Sequence, residues 1–316
     1  MIYTVTLNPA IDETLELESF NAGGASSLVA SSRTIGGKGI NVARALGLLG
    51  NKAEALALVG ETSRQFFEEG ARSEGMSLHC FTCPGETRVS QTLVFRQEGV
   101  NTHIRRPHGS ARVEQGFAEL RDWLASRLER GDYLVLSGSL QTSMPQDAWS
   151  DLTGLAHEKG ALPVLDTSGE ALEAGLAARP FMLKINIDEF MDLSEASSDE
   201  KADFKETVQG MHESGIAIIV ITMGAGGAVL SDGEGFYHAR LDMTPGPGQQ
   251  VWATGSGDAF LGGFVSGLTA ASPLVDCLKL GVACGSVSTG YPGCAMFEKQ
   301  AMLEALPRVE LHREQS

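Results

Sequence analysis

Between Tyr133 and Leu165 the chain reads YLVLSGSLQTSMPQDAWSDLTGLAHEKGALPVL. Tyr133 to Leu136 and Leu162 to Leu165 are short apolar runs, and Gln146 to Lys159 between them places its apolar residues at helical spacing. Strand, helix and strand in that order build a parallel sheet, because parallel neighbours need a crossover that returns the chain to the same end. The pattern continues outward in both directions. Ile2 to Leu7, Ala53 to Val59, Phe181 to Ile185 and Ile216 to Thr222 read as further strands, with Val113 to Leu128 and Asp203 to Glu213 as further helices. This order implies an α/β protein: a mostly parallel central sheet covered by helices on both faces, with ligands beyond the carboxyl ends of the strands.

Two stretches break the alternation, one over about residues 13–34 and the other over 88–106, where RVSQTLVFRQEGVNTHIRR turns at Glu98-Gly99. Each reads as hairpin material inserted between βα units. Paired, they make a small β lid over the open edge of a single domain spanning 1–316, serving as a cover or a dimer contact; the plain alternative is two surface hairpins. Met243 to Gln250, MTPGPGQQ, reads as a Pro/Gly loop.

With 40 acidic and 24 basic residues the formal charge is −16 and no block of Lys and Arg interrupts it, so nucleic acid and anionic membrane are poor partners. Any small anion must be held locally, by backbone N–H groups and a few placed cations. No apolar run reaches membrane-spanning length and the start carries no signal-peptide pattern, so a cytoplasmic protein is expected. The odd number of cysteines, five, does not suit a disulfide framework, and Cys80 and Cys83 have no second CxxC to complete a zinc site.

Glycine gathers in three places: Gly36-Gly37-Lys38-Gly39 before a helix start, Gly224-Ala225-Gly226-Gly227 after the strongest strand, and Gly255-Ser256-Gly257-Asp258 before the helix Ala259 to Leu268. None is a Walker A loop, since Gly39 follows the lysine, and Phe260 spoils a GxGxxG. The turn before Asp258 lets backbone N–H groups converge at the positive end of a helix dipole. Asp258 beside such an anion hole suits alcohol phosphorylation: the carboxylate takes the hydroxyl proton while the N–H groups of Gly255, Ser256 and Gly257 steady the phosphoryl oxygens. The bland reading is a helix-capping Asp258, just as Asp12, at the end of the first strand, also reads as a turn cap. Ala259, Gly263 and Gly267 form a smooth stripe that allows close helix packing.

Taken together, TLNPAID (6–12), GGKGINVARALGLLG (36–50), TR (87–88), SGSL (137–140), DTSGEAL (166–172), KINIDE (184–189), TMGAGGA (222–228) and TGSGDAF (254–260) resemble the ribokinase-like PfkB carbohydrate kinases. The branch they resemble holds 1-phosphofructokinases, tagatose-6-phosphate kinases and the minor bacterial 6-phosphofructokinase. The resemblance implies a three-layer α/β/α sandwich with a β lid and a kinase using ATP and Mg²⁺. It implies Asp258 as general base over Gly255, Ser256 and Gly257, and Asp12, Gly37, Lys38 and Asn41 on the sugar, with Arg88 and Ser139 facing its phosphate. Asn186 and Glu189 would organise Mg²⁺ through water, and Thr222, Gly224 and Gly227, with Asn186 and Lys184, would line the ATP site. Lys184 alternatively just ends a strand.

The expected substrate is a phosphorylated ketohexose, fructose 1-phosphate before fructose 6-phosphate or tagatose 6-phosphate, with a homodimer through the lid. A non-catalytic sugar-phosphate sensor is the rival from another class, and intact Asp258, Asn186 and Glu189 argue against it. Three departures stand out: Ser90 where the family has Asn, Ile185 where it has Pro, and Trp252-Ala253 ahead of the TGSGD turn. Arg105 and Arg106 read as a solvated basic pair, and His79, His103 and His108 as structural or surface residues.

Overall fold

The computed structural model describes residues 1–21, 23–104, 112–193, 202–243 and 251–314. Arg105, Arg106, His108 and most of the Pro/Gly loop, 244–250, lie outside the described residues. Strand β1 (Ile2–Thr6) runs into β2 (Ala10–Leu17), β3 (Leu28–Gly36) and helix α1 (Lys38–Leu49). Next come β4 (Ala53–Gly60), α2 (Arg64–Ser73), β5 (Ser77–Cys83), β6 (Arg88–Phe95), β7 (Val100–Ile104) and α3 (Glu114–Arg127). The central units are β8 (Tyr133–Ser137), α4 (Ala148–Lys159), β9 (Leu162–Asp166), α5 (Glu170–Ala177), β10 (Met182–Asn186), α6 (Ile187–Leu193), α7 (Ala202–Ser214) and β11 (Ile218–Thr222). The chain closes with β12 (Ala228–Ser231), β13 (Phe236–Arg240), α8 (Ser256–Thr269), α9 (Leu274–Ser288), α10 (Lys299–Ala305) and β14 (Glu310–Glu314).

Ten of these strands form one sheet in the order β14-β13-β12-β11-β10-β9-β8-β1-β4-β5, parallel from β11 to β5 and antiparallel from β11 to β14. Its central strands are apolar on both faces, which is why they read as unbroken hydrophobic runs. Leu134 and Leu136 of β8 pack with Trp149 and Leu152 of α4, while Val135 between them packs with Val42, Phe260 and Phe264 from α1 and α8. The expected ribokinase-like three-layer α/β/α sandwich is therefore the observed one. Cys80 and Cys83 are buried in β5, and burial pushes their free thiols up to about 12 and about 11. Among the described residues no helix is long and apolar enough to cross a membrane.

The two irregular stretches are the hairpins β2–β3 and β6–β7, joined by parallel pairing of β2 with β6 into a second, four-stranded sheet in the order β3-β2-β6-β7. Its strands begin earlier than the expected lid boundary, at Ala10, because the turn at Asn8-Pro9 leads into pairing with Arg88 and Gly36 at once. In the large sheet, β1 lies between β8 and β4, and the chain builds outward from that pair in both directions. This topological switch opens a crevice beyond the carboxyl ends of β1 and β8.

Candidate active site

Asn8, just past β1, donates from Nδ2 to Oγ of Ser139, just past β8, at 3.1 Å, and this bond spans the crevice. Helix α1 enters from above. At Gly37 φ is +123° and a Cβ would lie 2.5 Å from Thr6 Cγ2, so glycine alone lets the chain press onto the end of β1. The Ile40 N–H then donates to Thr6 Oγ1 at 2.9 Å, which satisfies one of the helix's open donors.

This entry puts Lys38 over Asp166, a fully buried carboxylate at the end of β9. Lys38 Nζ and Lys184 Nζ both donate to Asp166 Oδ1, at 3.2 and 3.0 Å, and Ser137 Oγ donates to Oδ2 at 2.7 Å. Burial alone would raise this carboxyl, but Lys184, Lys38 and the hydroxyl outweigh it and pull it down to about 2. Lys38 is raised in turn: burial works against its charge, and Asp166, Asp258 and Glu189 overcome it. Lys184 Nζ also lies 3.3 Å from where a Gly257 side chain would begin, at the foot of α8.

The turn before α8 is built as expected, with Gly255 left-handed at φ +84° and a Cβ there only 2.6 Å from Ala295 N. Of the N–H groups assigned to the anion hole, those of Gly255 and Gly257 meet no acceptor among the described residues. Ser256 corrects the expectation: its N–H donates to Ala253 O at 3.2 Å, because the chain makes a tight turn there to enter the helix. Asp258 is 6% exposed and accepts a 2.7 Å hydrogen bond from Asn41 Nδ2. Burial pushes its carboxyl up to about 6, with Asp166 adding to the rise and Lys38, Asn41 and Lys184 resisting it. A carboxyl held near neutrality in this way is ready to accept a proton.

Asp12 lies on β2 over Gly36, where any side chain would collide with its carboxylate. Burial raises its carboxyl against the pull of Arg44, a hydrogen bond from the Cys294 thiol, Arg88 and His103. Arg88 donates to the carbonyls of Asn8 and Pro9, at 3.2 and 3.3 Å, and so braces the turn between β1 and the lid. His103 is more than a surface residue. Its Nε2 shares a 2.7 Å hydrogen bond with Thr254 Oγ1, which ties the lid strand β7 to the turn before Asp258.

Asn186 and Glu189 hold each other: Asn186 Oδ1 accepts the Glu189 N–H and Glu189 Oε2 accepts the Asn186 N–H, both at 2.8 Å. This capping box opens α6, and Ile185 can replace proline before it because β10 continues straight through, pairing with Ile221. Thr222 donates to Ile185 O at 3.3 Å, and Gly224 and Gly227 form the next turn at the carboxyl end of β11. Gly227 is required by packing, since a Cβ would sit 2.9 Å from Arg240 Cα. Among the described residues no three His, Cys, Asp or Glu side chains make a ligating set. Asn186 Oδ1 and Glu189 Oε2 are oxygen donors of the kind a hard cation such as Mg²⁺ takes, each here accepting one backbone N–H.

Asp166, Arg44, Cys294 and Thr254 complete this constellation and were not singled out from the sequence. Asp166 carried a signal, a carboxylate directly after the apolar run Leu162 to Leu165, and Arg44 lies one turn beyond Asn41 on α1. Cys294 carried none.

A model of the pfkB family carbohydrate kinases matches residues 5–300. The chain belongs to that family. It is a phosphotransferase on a ribokinase-like fold. It is 30% identical to the 1-phosphofructokinase of Bacillus subtilis over 91% of this chain and 92% of that one. To the 1-phosphofructokinase of Xanthomonas campestris it is 35% identical over 89% and 88%, and to a tagatose-6-phosphate kinase of Staphylococcus epidermidis 31% over 85% of each. Among solved structures, phosphofructokinase-2 from Escherichia coli with substrates and products superposes with a TM-score of 0.88 at 26% identity, covering 97% of this kinase and 98% of that chain.

Proposed function

We propose that this kinase transfers the terminal phosphoryl group of ATP to a free hydroxyl of a phosphorylated ketohexose, fructose 1-phosphate giving fructose 1,6-bisphosphate. The observation that carries this reading is Asp258, a buried carboxyl raised to about 6 beside the N–H groups of Gly255 and Gly257, which meet no acceptor among the described residues. The substrate preference rests on the 1-phosphofructokinase relatives, with tagatose 6-phosphate next through the second set of relatives and fructose 6-phosphate after it. A sensor that only binds sugar phosphate has no use for this carboxylate, these amides and two lysines at one point.

Asp258 takes the proton of the acceptor hydroxyl as its oxygen forms the new bond to phosphorus and the bond to the departing ADP breaks. The amides of Gly255 and Gly257, with Lys184 beside them, steady the phosphoryl oxygens, and Lys38 stands between Asp166 and Asp258. Asp12 and Asn41 hold sugar hydroxyls, and Arg88 and Ser139 lie at the crevice end where the sugar's own phosphate binds. Asn186 and Glu189 would hold Mg²⁺ through water, and Thr222, Gly224 and Gly227 would line the nucleotide site. When bound there, the ion would offset phosphate charge. A cytoplasmic setting follows, where ATP and hexose phosphates are found. The apolar outer lid is assigned to a second copy of the chain.

Asp258→Asn, assayed by coupled ATP turnover over a panel of free and phosphorylated hexoses, should keep sugar binding and lower kcat by roughly 10²-fold or more. Wild-type kcat/KM should fall as pH drops below about 6, where Asp258 becomes protonated. Undiminished turnover by the variant would remove Asp258 from the chemistry. Tight binding of one sugar phosphate by the wild type with no turnover of any would favour the sensor.

A further inference from the structure

Arg44 lies one helical turn after Asn41, is 8% exposed, and spends all five of its N–H donors. Nε and Nη2 grip Glu74, at 2.7 and 3.2 Å, just past the end of α2. Nη2 also donates to Ile35 O at 2.7 Å, and Nη1 donates to Cys294 O at 3.0 Å and to Asn41 Oδ1 at 2.6 Å. The last of these bonds decides which way the Asn41 amide faces. With Oδ1 taken by a guanidinium, only Nδ2 is left for Asp258 Oδ2, 2.7 Å away. A flipped amide would set its oxygen against the carboxylate and its NH₂ against the cation, and both bonds would be lost.

We infer that Arg44, anchored by Glu74, is a positioning residue for phosphoryl transfer, which fixes the Asn41 amide and through it the aim and charge of Asp258. The inference rests on the reading of Asp258 as the base. The same fork holds two further parts of the site. Ile35 stands at the root of the lid strand β3, and Cys294 backs the turn at Gly255, whose Cβ would lie 2.7 Å from Cys294 Cα. A lysine cannot replace this arrangement, because a single ammonium cannot reach three carbonyl oxygens and two carboxylate oxygens in one plane.

The other groups acting on Asp258 are the cations of Lys38 and Lys184, the Asp166 carboxylate and the Cys294 thiol. Glu74→Gln leaves these four in place, and Arg44→Lys keeps the positive charge that also acts on Cys294 and Asp12. The Asn41 N–H favours the ionised form of Asp258, so losing or reversing it makes the carboxyl hold its proton to higher pH. A purely structural arginine would lower kcat by one factor at every pH.

The test is the pH profile of kcat, at saturating ATP and sugar phosphate, for Arg44→Lys, Glu74→Gln and Asp258→Asn beside the wild type. In Arg44→Lys the acid limb should move upward by about half a unit to one unit, with turnover recovering toward alkaline pH. Glu74→Gln, which keeps the arginine but loosens its anchor, should shift the limb in the same direction by less. The Glu74 side chain is 25% exposed and glutamine keeps one oxygen for the guanidinium, so this is the milder variant and carries the test if Arg44→Lys does not fold. A limb that stays in place in Glu74→Gln and in any folded Arg44→Lys overturns the inference. Turnover retained by Asp258→Asn would instead overturn the base assignment beneath it, and the two failures are read from different variants.

Discussion

Asp166 and Asp258 are both buried carboxylates in one crevice, and their surroundings drive them in opposite directions. Asp166, with two ammonium groups and a hydroxyl on it, titrates near 2, below its ordinary 3.8. Its contribution to stability is complete above that ordinary value and is lost as pH falls through about 2. Asp258, raised to about 6, is the reverse: the folded state holds a proton that the unfolded chain has already lost, so folding is penalised increasingly from pH 3.8 up through about 6. Urea unfolding at pH 7 should therefore show Asp166→Asn destabilised by about 3–5 kcal/mol, since two lysines lose their shared anion. Asp258→Asn should be stabilised, on the order of 1–3 kcal/mol, and the gain should vanish near pH 3. Equal destabilisation by both variants would mean that Asp258 is charged at no cost, contrary to its burial. Both residues stand in motifs legible in the sequence, DTSGEAL and TGSGDAF, yet only Asp258 reads as functional there, because the partners that set Asp166 apart, Lys38, Ser137 and Lys184, come from three separate elements.

The glycines of α8 show what was legible at the scale of elements. The stripe through Gly263 and Gly267 predicted close packing, and a Cβ on Gly263 would stand 2.8 Å from Cys284 Sγ and 2.9 Å from Leu280 O of α9. The parallel units, the lid hairpins and the helices α3, α4 and α7 follow from periodicity, which a strand buried on both faces or an amphipathic helix cannot conceal. The antiparallel run β12–β14 did not show itself, since its strands are short and β14 is exposed and polar. The Asn186–Glu189 capping box was visible as spacing, yet its reciprocal hydrogen bonds needed coordinates. Gly263→Val should cost roughly 1–3 kcal/mol or more by wedging α8 from α9 and shifting the turn that carries Asp258. Gly47→Ala, on the open face of α1 with nothing within 4 Å of the new Cβ, should instead stabilise by about 0.5–1 kcal/mol. Thermal unfolding of the two variants separates packing glycines from spare ones; similar melting temperatures would deny that α8 is held by the stripe.

A molecule with a formal charge of −16 repels its own copies, so any self-association must come from a surface that is apolar and offers backbone partners. The lid is such a surface. Leu28 and Val29 on β3 and Val100 and Ile104 on β7 are each more than 40% exposed, and these two strands are the open edges of the four-stranded sheet. An unprotected edge bearing apolar side chains is a template for pairing. The lid also reaches the proposed site, through Asp12 on β2, Arg88 on β6 and the His103–Thr254 hydrogen bond. Covering it with a second copy would therefore steady the sugar side of the crevice as well as hide the apolar face. Sedimentation equilibrium should give a dimer at micromolar concentration for the wild type, and Val29→Glu with Val100→Asp should shift it to monomer. The monomeric variant should retain its fold by circular dichroism and show a raised KM for the sugar phosphate with little change in KM for ATP, because the turn proposed for the nucleotide follows β11 of the large sheet and not a lid strand. A wild-type chain that stays monomeric, or a double variant that stays dimeric, would remove the lid from self-association.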